Sequence, residues 1–253
     1  MLNIIRIPAL KDNYIWLLHK NAAAIVVDPG EARPVRDALQ REGLRLSAIL
    51  ITHHHHDHQG GVADLLKDAP VEVFGPELES ITARTQPLRG GETISPSDSG
   101  ISLQVLAVPG HTAGHLAYFG EGCLFCGDTL FGAGCGRLFE GTAAQMAASL
   151  ETISALPDST QIYCAHEYAA QNLRFALVAE PGNPQLQARA AAVAAARARG
   201  EPTVPSTLAL EKATNPFLRC TAPELLAAAR QRGVSSDDPV EVFAALRAWR
   251  DEF

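Results

Sequence analysis

Six consecutive residues inside the chain, His53 to His58, contain five histidines and one aspartate. An apolar run from Leu46 to Ile51 leads into this cluster and predicts a buried strand, while residues 60–66 behind it predict the start of a helix. The cluster is therefore expected on a strand-to-helix loop, where an open sheet carries its functional residues. The rest of the chain is organised around this loop.

The spacing of the cluster suits metal binding. Side chains of an extended segment alternate between two faces, so His53 and His55 are expected on one side. Two imidazoles on one side suit a divalent metal of intermediate softness, and Asp57 and His58 can serve a second ion as the chain turns. A purification tag would lie at a terminus, and a metal-scavenging tract would lack the apolar strand and the Gly-Gly turn that flank this cluster.

Side chains of ligand type recur where later apolar runs end. These are His111 after the strand predicted at 101–108, Asp128 after 121–127, and His166 after 161–165. His115 begins the next predicted strand and is expected to pack and hydrogen-bond rather than bind metal. With the four residues of the cluster, seven ligands suit two cations and a bridging water or hydroxide. Metal binding lowers the pKa of such a water from about 15.7 to ~7, which gives a nucleophile at neutral pH.

Asp28 ends the third apolar run, and two roles for it remain open. It stands in the turn sequence Asp28-Pro29-Gly30, where an aspartate is a common turn former. At a strand end beside a metal site, its carboxylate can also orient a ligand histidine.

The cysteines predict no chemistry of their own. The chain has five, an odd number that suggests reduced thiols in a cytosol. Cys123 and Cys126 form a C-x-x-C, but no second pair lies at zinc-ribbon spacing, so both are expected to be small buried residues of a strand.

Composition excludes several classes of protein. The net charge of −7 argues against a nucleic-acid partner, which needs phosphate-neutralising cations. No apolar run approaches membrane-spanning length, and the first residues lack the pattern of an export signal. We expect a cytoplasmic monomer without membrane or nucleic-acid partners.

The pattern of predicted elements changes near residue 169. Before it, strands at 4–7, 14–18, 24–27 and 71–74 and a helix at 34–44 indicate an α/β domain, 1–168. After it, helices are predicted at 171–179, 185–199, 223–232 (with Thr221 as a possible cap) and 240–249. Residues 169–253 are thus predicted to form a smaller helical domain, which would build one wall of a substrate cleft.

The metal motif T-H-x-H-x-D-H, followed by G-H-T, G-D and a later histidine, resembles the metallo-β-lactamase superfamily. Other stretches resemble its glyoxalase II branch, the hydroxyacylglutathione hydrolases. They are residues 10–14, 134–141, 165–168, 202–207 and 214–219. The resemblance spans essentially the whole chain and implies an αββα sandwich with a smaller all-helical C-terminal domain.

The resemblance also implies roles for individual residues. It places His53, His55 and His111 on one metal, Asp57, His58 and His166 on the other, and Asp128 between the two. It implies that glutathione is held by Arg137, Phe139, Tyr168, Arg247 and Arg250. Some members have lysine and tyrosine in place of Arg137 and Phe139, so the charge is kept here but a tyrosyl hydrogen bond is not. The cationic residues suit the two carboxylates of glutathione, although Arg247 and Arg250 by themselves would also suit a solvated face of the last helix.

The implied reaction is thioester hydrolysis. A bridging hydroxide, positioned by Asp128, attacks the carbonyl of S-D-lactoylglutathione and yields glutathione and D-lactate, the second step of methylglyoxal degradation. The cofactor is expected to be two divalent ions per chain, zinc first, with iron or manganese as alternatives. Three rivals use similar ligands: a one-iron sulfur dioxygenase, an RNA-processing nuclease and a non-catalytic metal-storage module. The complete second-site ligand set, the helical C-terminus and the lack of a cationic arm favour the hydrolase.

Overall fold

The chain divides into two units in the computed structural model, which describes residues 1–253. One unit comprises residues 1–107 and 112–127, and the other comprises residues 108–111 and 128–253. The boundary between Gly127 and Asp128 also separates the predicted metal ligands. Those of the histidine cluster belong to the first unit, and His111, Asp128 and His166 belong to the second. The domain boundary predicted at residues 168 and 169 lies within the second unit and stays a prediction.

The first unit contains a six-stranded sheet in sequential order. Its strands are β1 (Asn3–Ala9), β2 (Asn13–His19), β3 (Ala23–Val27), β4 (Arg45–Leu50), β5 (Glu72–Pro76) and β6 (Gln86–Leu88). The first two pairings are antiparallel, whereas β3 through β6 run parallel. Because parallel strands end at the same edge of a sheet, the loops after β3, β4 and β5 lie together.

Three helices connect the parallel strands: α1 (Ala32–Glu42), α2 (His56–Gln59) and α3 (Val62–Asp68). Helix α1 is amphipathic and buries Val35 and Ala38 against residues of the sheet such as Val26 and Ile49. It ends at Gly43, whose φ of 64° is left-handed and therefore favours glycine. The apolar strands and this helix form a continuous core behind the functional edge.

A second, antiparallel group of strands follows in the first unit. It comprises β7 (Thr93–Ile94), β8 (Leu103–Ala107), β9 (Leu116–Gly120) and β10 (Cys123–Gly127). The Tyr118 hydroxyl of β9 donates to the Ile51 carbonyl at 2.7 Å, which joins β9 to the loop after β4. Cys123 and Cys126 are buried in β10, so the prediction that they are packed strand residues is confirmed.

The second unit is mainly helical. Its elements are β11 (Leu130–Phe131), β12 (Gly134–Cys135), α4 (Ala143–Ser154), β13 (Gln161–Cys164), α5 (Ala169–Ala179), α6 (Pro184–Ala198), β14 (Ser206–Thr207), α7 (Leu208–Thr214), a 3-10 turn (Pro216–Leu218), α8 (Pro223–Arg230) and α9 (Pro239–Glu252). Side-chain caps begin several helices: Thr142 makes a capping box with Gln145, and Asn183 and Asp238 cap α6 and α9. None of the helices combines the length and apolarity needed to cross a lipid bilayer.

Some local predictions differ from the structure. Helices α4 and α7 were not predicted; α7 has only seven residues, and its buried face includes the polar residues Glu211 and Thr214. The suggested cap at Thr221 is wrong: Ala222 is the cap residue of α8, and no side chain caps that end. Pro223 at the first helical position suits the start of the helix, because its fixed φ is helical and an N–H there would have no intrahelical partner.

Candidate metal and substrate-binding residues

His53 and His55 direct ring nitrogens to one place in the loop after β4. His53 Nε2 and His55 Nδ1 are 3.0 Å apart. Two nitrogens on one tetrahedral metal at ordinary bond lengths lie about 3.3 Å apart, so the spacing fits a shared ion. His55 itself is extended, with φ −59° and ψ 144°, and directly precedes a helical turn.

The extended conformation ends at His56, where the helical turn α2 begins. The chain thus turns at Asp57 and His58, as expected from the sequence. The turn brings Asp57 and His58 together, with Asp57 Oδ2 at 3.5 Å from His58 Nε2. The ring of His58 lies beside that of His53, with centroids 4.0 Å apart. One strand end and one helical turn thus supply two neighbouring pairs of ligand-type groups.

Asp28 holds two of these histidines in a defined tautomer. Its buried carboxylate accepts from the Thr52 amide at 2.8 Å and from the Thr52 hydroxyl at 2.7 Å. It also lies 3.0 Å from His58 Nδ1. A carboxylate only accepts, so the hydrogen-bond network assigns the His58 proton to Nδ1 and leaves the Nε2 lone pair facing Asp57.

The same reasoning extends to His53. Because the Thr52 hydroxyl gives its proton to Asp28, its oxygen accepts from His53 Nδ1 at 3.0 Å. His53 Nε2 is then also left basic, on the side of His55. Asp28 adopts a positive φ of 51° and closes the turn to Gly30, so it forms the turn and also contacts His58, one of the predicted metal ligands.

Two residues at this edge were missed in the sequence. Asn13 Nδ2 donates to Asp57 Oδ2 at 3.0 Å and thereby orients that carboxylate. Glu79, buried in the loop after β5, accepts from the His54 amide at 2.7 Å and from the Gly114 amide at 2.8 Å. Asn13 lies in the family-like stretch 10–14, and Glu79 follows a parallel strand, but neither position indicates its partner.

His115 packs as expected. Its ring is fully buried and stacks on His53, with centroids 4.6 Å apart and an interplanar angle of 20°. The contact fixes the plane of the His53 ring, so His115 supports a ligand-type residue.

In the second unit, Asp128 lies between two histidines that are predicted metal ligands. Its two oxygens face different histidines: Oδ2 lies 3.5 Å from His111 Nε2, and Oδ1 lies 3.4 Å from His166 Nε2. His111 Nδ1 is 2.8 Å from the Arg137 carbonyl, which only accepts, so its Nε2 lone pair faces the carboxylate. A nitrogen lone pair and a carboxylate oxygen at this distance repel each other unless a cation lies between them. The donor set therefore fits divalent metal ions.

Glycine allows close approach of the backbone in both units. A Cβ on Gly30 would lie 2.0 Å from the Asp57 carbonyl oxygen, and one on Gly136 would lie 2.0 Å from that of Asp128. Any other residue at these positions would displace the ligand-bearing backbone.

A cavity of about 460 Å³ in the second unit adjoins Asp128. It is lined by the five residues predicted to hold the substrate, together with two predicted metal ligands: Arg137, Phe139, Tyr168, Arg247, Arg250, His111 and Asp128. The Phe139 ring is exposed and packs edge-on against His111 at 5.2 Å, while Tyr168 stacks on His166 at 4.6 Å. The cavity wall is thus continuous with the ligand-type histidines of this unit.

The cavity is cationic. Arg247 is buried, with Nη1 donating to the Cys135 carbonyl at 3.0 Å and the guanidinium over the Phe217 ring at 5.2 Å. Partial burial, and then repulsion from Arg247, lower the pKa of Arg250. A group whose charge is disfavoured in this way gains from an anionic ligand, so the cavity suits carboxylates.

Comparisons with known proteins agree with this chemistry. Residues 10–166 match the family model "Metallo-beta-lactamase superfamily", and residues 167–253 match "Hydroxyacylglutathione hydrolase C-terminus". The chain is 58% identical to the hydroxyacylglutathione hydrolase of Dechloromonas aromatica and 56% identical to that of Alkalilimnicola ehrlichii, each over the full length of both chains. Among solved structures, ETHE1 from Myxococcus xanthus superposes with a TM-score of 0.67 at 23% identity, covering 99% of this chain and 98% of that one. At that identity the likeness concerns the fold.

Proposed function

The chain belongs to the hydroxyacylglutathione hydrolase family of the metallo-β-lactamase superfamily, and on that premise we propose that it hydrolyses S-(2-hydroxyacyl)glutathione thioesters. The products are glutathione and a 2-hydroxy acid. With S-D-lactoylglutathione the acid is D-lactate, which makes the reaction the second step of methylglyoxal degradation. The protein is accordingly a thiolester hydrolase with a metallo-β-lactamase fold followed by a helical C-terminal part.

The observation that carries the proposal is the shared lining of one cavity. Residues suited to an anionic tripeptide, such as Arg137 and Arg247, line the same 460 Å³ space as Asp128 and His111. A thioester bound there by its glutathione carboxylates would have its scissile bond near metal-ligand side chains. A metal-storage module has no use for such a cationic wall.

Divalent-metal binding follows from membership of the superfamily and from the histidine and aspartate clusters. We propose two ions, preferably zinc, with iron or manganese accepted by the same side chains. One is assigned to His53, His55 and His111, the other to Asp57, His58 and His166, with Asp128 shared. When bound, such ions supply a hydroxide nucleophile at neutral pH and polarise the thioester carbonyl.

The side chains of the protein contribute orientation. Asp28 and Thr52 keep basic nitrogens on His58 and His53, and the Arg137 carbonyl does the same for His111. The arginines of the cavity hold the glutathione carboxylates. The leaving group is a thiolate whose parent pKa is about 8.5, so it departs as an anion without a strong general acid. We further propose that the enzyme acts as a cytoplasmic monomer.

The test is an assay of S-D-lactoylglutathione hydrolysis by purified protein, with metal content measured on the same samples. Asp128→Asn is expected to abolish turnover. Arg247→Ala is expected to raise KM about tenfold or more at a nearly unchanged kcat, because it removes a charged hydrogen-bonding group from the residues proposed to bind glutathione. Arg230→Ala, which breaks an exposed ion pair with Asp237, is the matched control and should behave as wild type.

Two results would count against the proposal. Folded, metal-loaded wild-type protein that leaves glutathione thioesters intact would refute the hydrolase. Oxygen consumption with glutathione persulfide would identify the dioxygenase activity instead.

A further inference from the structure

One carboxylate, Asp251, lies among the cationic side chains of the cavity. Its Oδ1 accepts from Arg137 Nε and from Arg247 Nη2, each at 3.0 Å. Arg137 lies in the segment after β12, whereas Arg247 and Asp251 lie one turn apart on α9. A single oxygen therefore joins two proposed substrate-binding residues that belong to different elements.

The position of Asp251 is unfavourable in two respects. It stands in the last turn of α9, where the helix dipole favours positive charge. It also places a negative charge in a cavity proposed to receive carboxylates, which it repels. The Arg247 side chain is only 8% exposed, whereas that of Asp251 is 34% exposed, so the contact differs from a surface salt bridge between two exposed groups.

These contacts fix Arg247 and leave part of the Arg137 guanidinium available. Arg247 is fixed by the Cys135 carbonyl, by Asp251 and by the Phe217 ring. Arg137, whose side chain is 54% exposed, is held through Nε, so its outer edge with both Nη groups remains available to a ligand. A long exposed arginine without this anchor would have to be ordered when the ligand binds.

We propose that Asp251 is a positioning residue for substrate binding. Its oxygen holds the Arg137 and Arg247 guanidinium groups together before the substrate arrives, so that a glutathione carboxylate meets an ordered pair of cations. The inference rests on the proposed function, because it concerns how that substrate is held. It assigns the benefit to the acceptor oxygen of Asp251 and not to its charge.

Two substitutions separate the oxygen from the charge. Asp251→Ala removes both. We expect KM for S-D-lactoylglutathione to rise about tenfold and kcat to stay within about twofold of wild type, since only the ordering of Arg137 and Arg247 is lost. Asp251→Asn keeps an acceptor oxygen and removes the repulsion, so its KM should stay within about threefold of wild type. Glu252→Ala, the neighbouring carboxylate on the same helix, is the matched control and should leave KM unchanged.

A double-mutant cycle tests whether Asp251 acts through Arg137. In an Arg137→Ala background, adding Asp251→Ala should change KM by about threefold or less, well below its effect in wild type. A merely structural role would give the same factor in both backgrounds. Equal factors, or an unchanged or lowered KM in Asp251→Ala alone, would overturn the inference.

Calorimetric titration with glutathione itself keeps this test separate from the proposed function. Asp251→Ala should bind glutathione about tenfold more weakly than wild type and Asp251→Asn. If wild type binds glutathione but hydrolyses none of its thioesters, the hydrolase proposal fails while the positioning role is still measured. If wild type is an active hydrolase and all three proteins bind glutathione equally, the positioning role alone fails.

Discussion

Asp28→Asn should weaken metal binding without disturbing the backbone. Asparagine tolerates the left-handed φ of 51° at this position, and its remaining oxygen can still accept from the Thr52 amide. The new amide group, however, donates where Asp28 Oδ2 accepted from Thr52 and His58. His58 Nδ1 must then accept, which moves its proton to Nε2. The Thr52 hydroxyl loses its acceptor and donates to His53 Nδ1 instead. The His53 proton then also moves to Nε2.

The magnitude follows from the loss of two basic ligand nitrogens. Removing a group that orients one metal-bound histidine typically weakens metal affinity 10- to 100-fold, or about 1.4–2.8 kcal/mol. Since Asp28 controls two of the proposed ligands, we expect about 100-fold weaker zinc binding. The fold should persist, because the substitution keeps the size and the backbone conformation of the residue.

The assay is a competition titration with a chromophoric zinc chelator, run alongside urea denaturation of the same proteins. Asp37→Asn, on the exposed face of α1 with Arg33 at 3.9 Å, provides the matched control and should bind zinc as wild type does. A zinc affinity of Asp28→Asn within about twofold of wild type would refute the inference that Asp28 fixes the tautomer of His58 directly and that of His53 through Thr52.

Two further predictions concern stability. Glu211→Ala should lower the free energy of unfolding by about 3–5 kcal/mol, because it leaves Arg189 buried without the carboxylate it meets at 3.0 Å. Urea denaturation measures this, with exposed Glu201→Ala as control, and a loss below about 1 kcal/mol would contradict it. Burial raises the pKa of the Cys164 and Cys220 thiols to about 12 from an ordinary 9.0. Folded thiols then stay protonated while unfolded ones ionise, so stability should be constant below pH 9 and fall as the pH rises towards 12. Urea midpoints against pH should fall less steeply in Cys164→Ala, and an identical slope would exclude this cause.

Most strands and helices were predictable from local pattern. The strands predicted at 14–18 and 24–27 appear as β2 and β3, and the helix predicted at 185–199 appears as α6. The signal for each of these elements, an apolar run for a strand or a capping residue for a helix, lies within a few residues of the element itself. Helix α4 was missed although its signals are local: Thr142 and Gln145 form a capping box, and Met146, Leu150 and Ile153 recur at helical spacing on its buried face.

The sequence by itself determined the chemical class of the site. Ligand-type side chains at strand ends and the family-like stretches can be read locally, since side-chain chemistry and strand-end placement depend on near neighbours. Only the tertiary structure decided that Asp28 faces His58, that the two oxygens of Asp128 face different histidines, and that Asp251 joins Arg137 to Arg247. These contacts form between residues far apart in the chain, and which carboxylate meets which cation is set by how strands and helices pack.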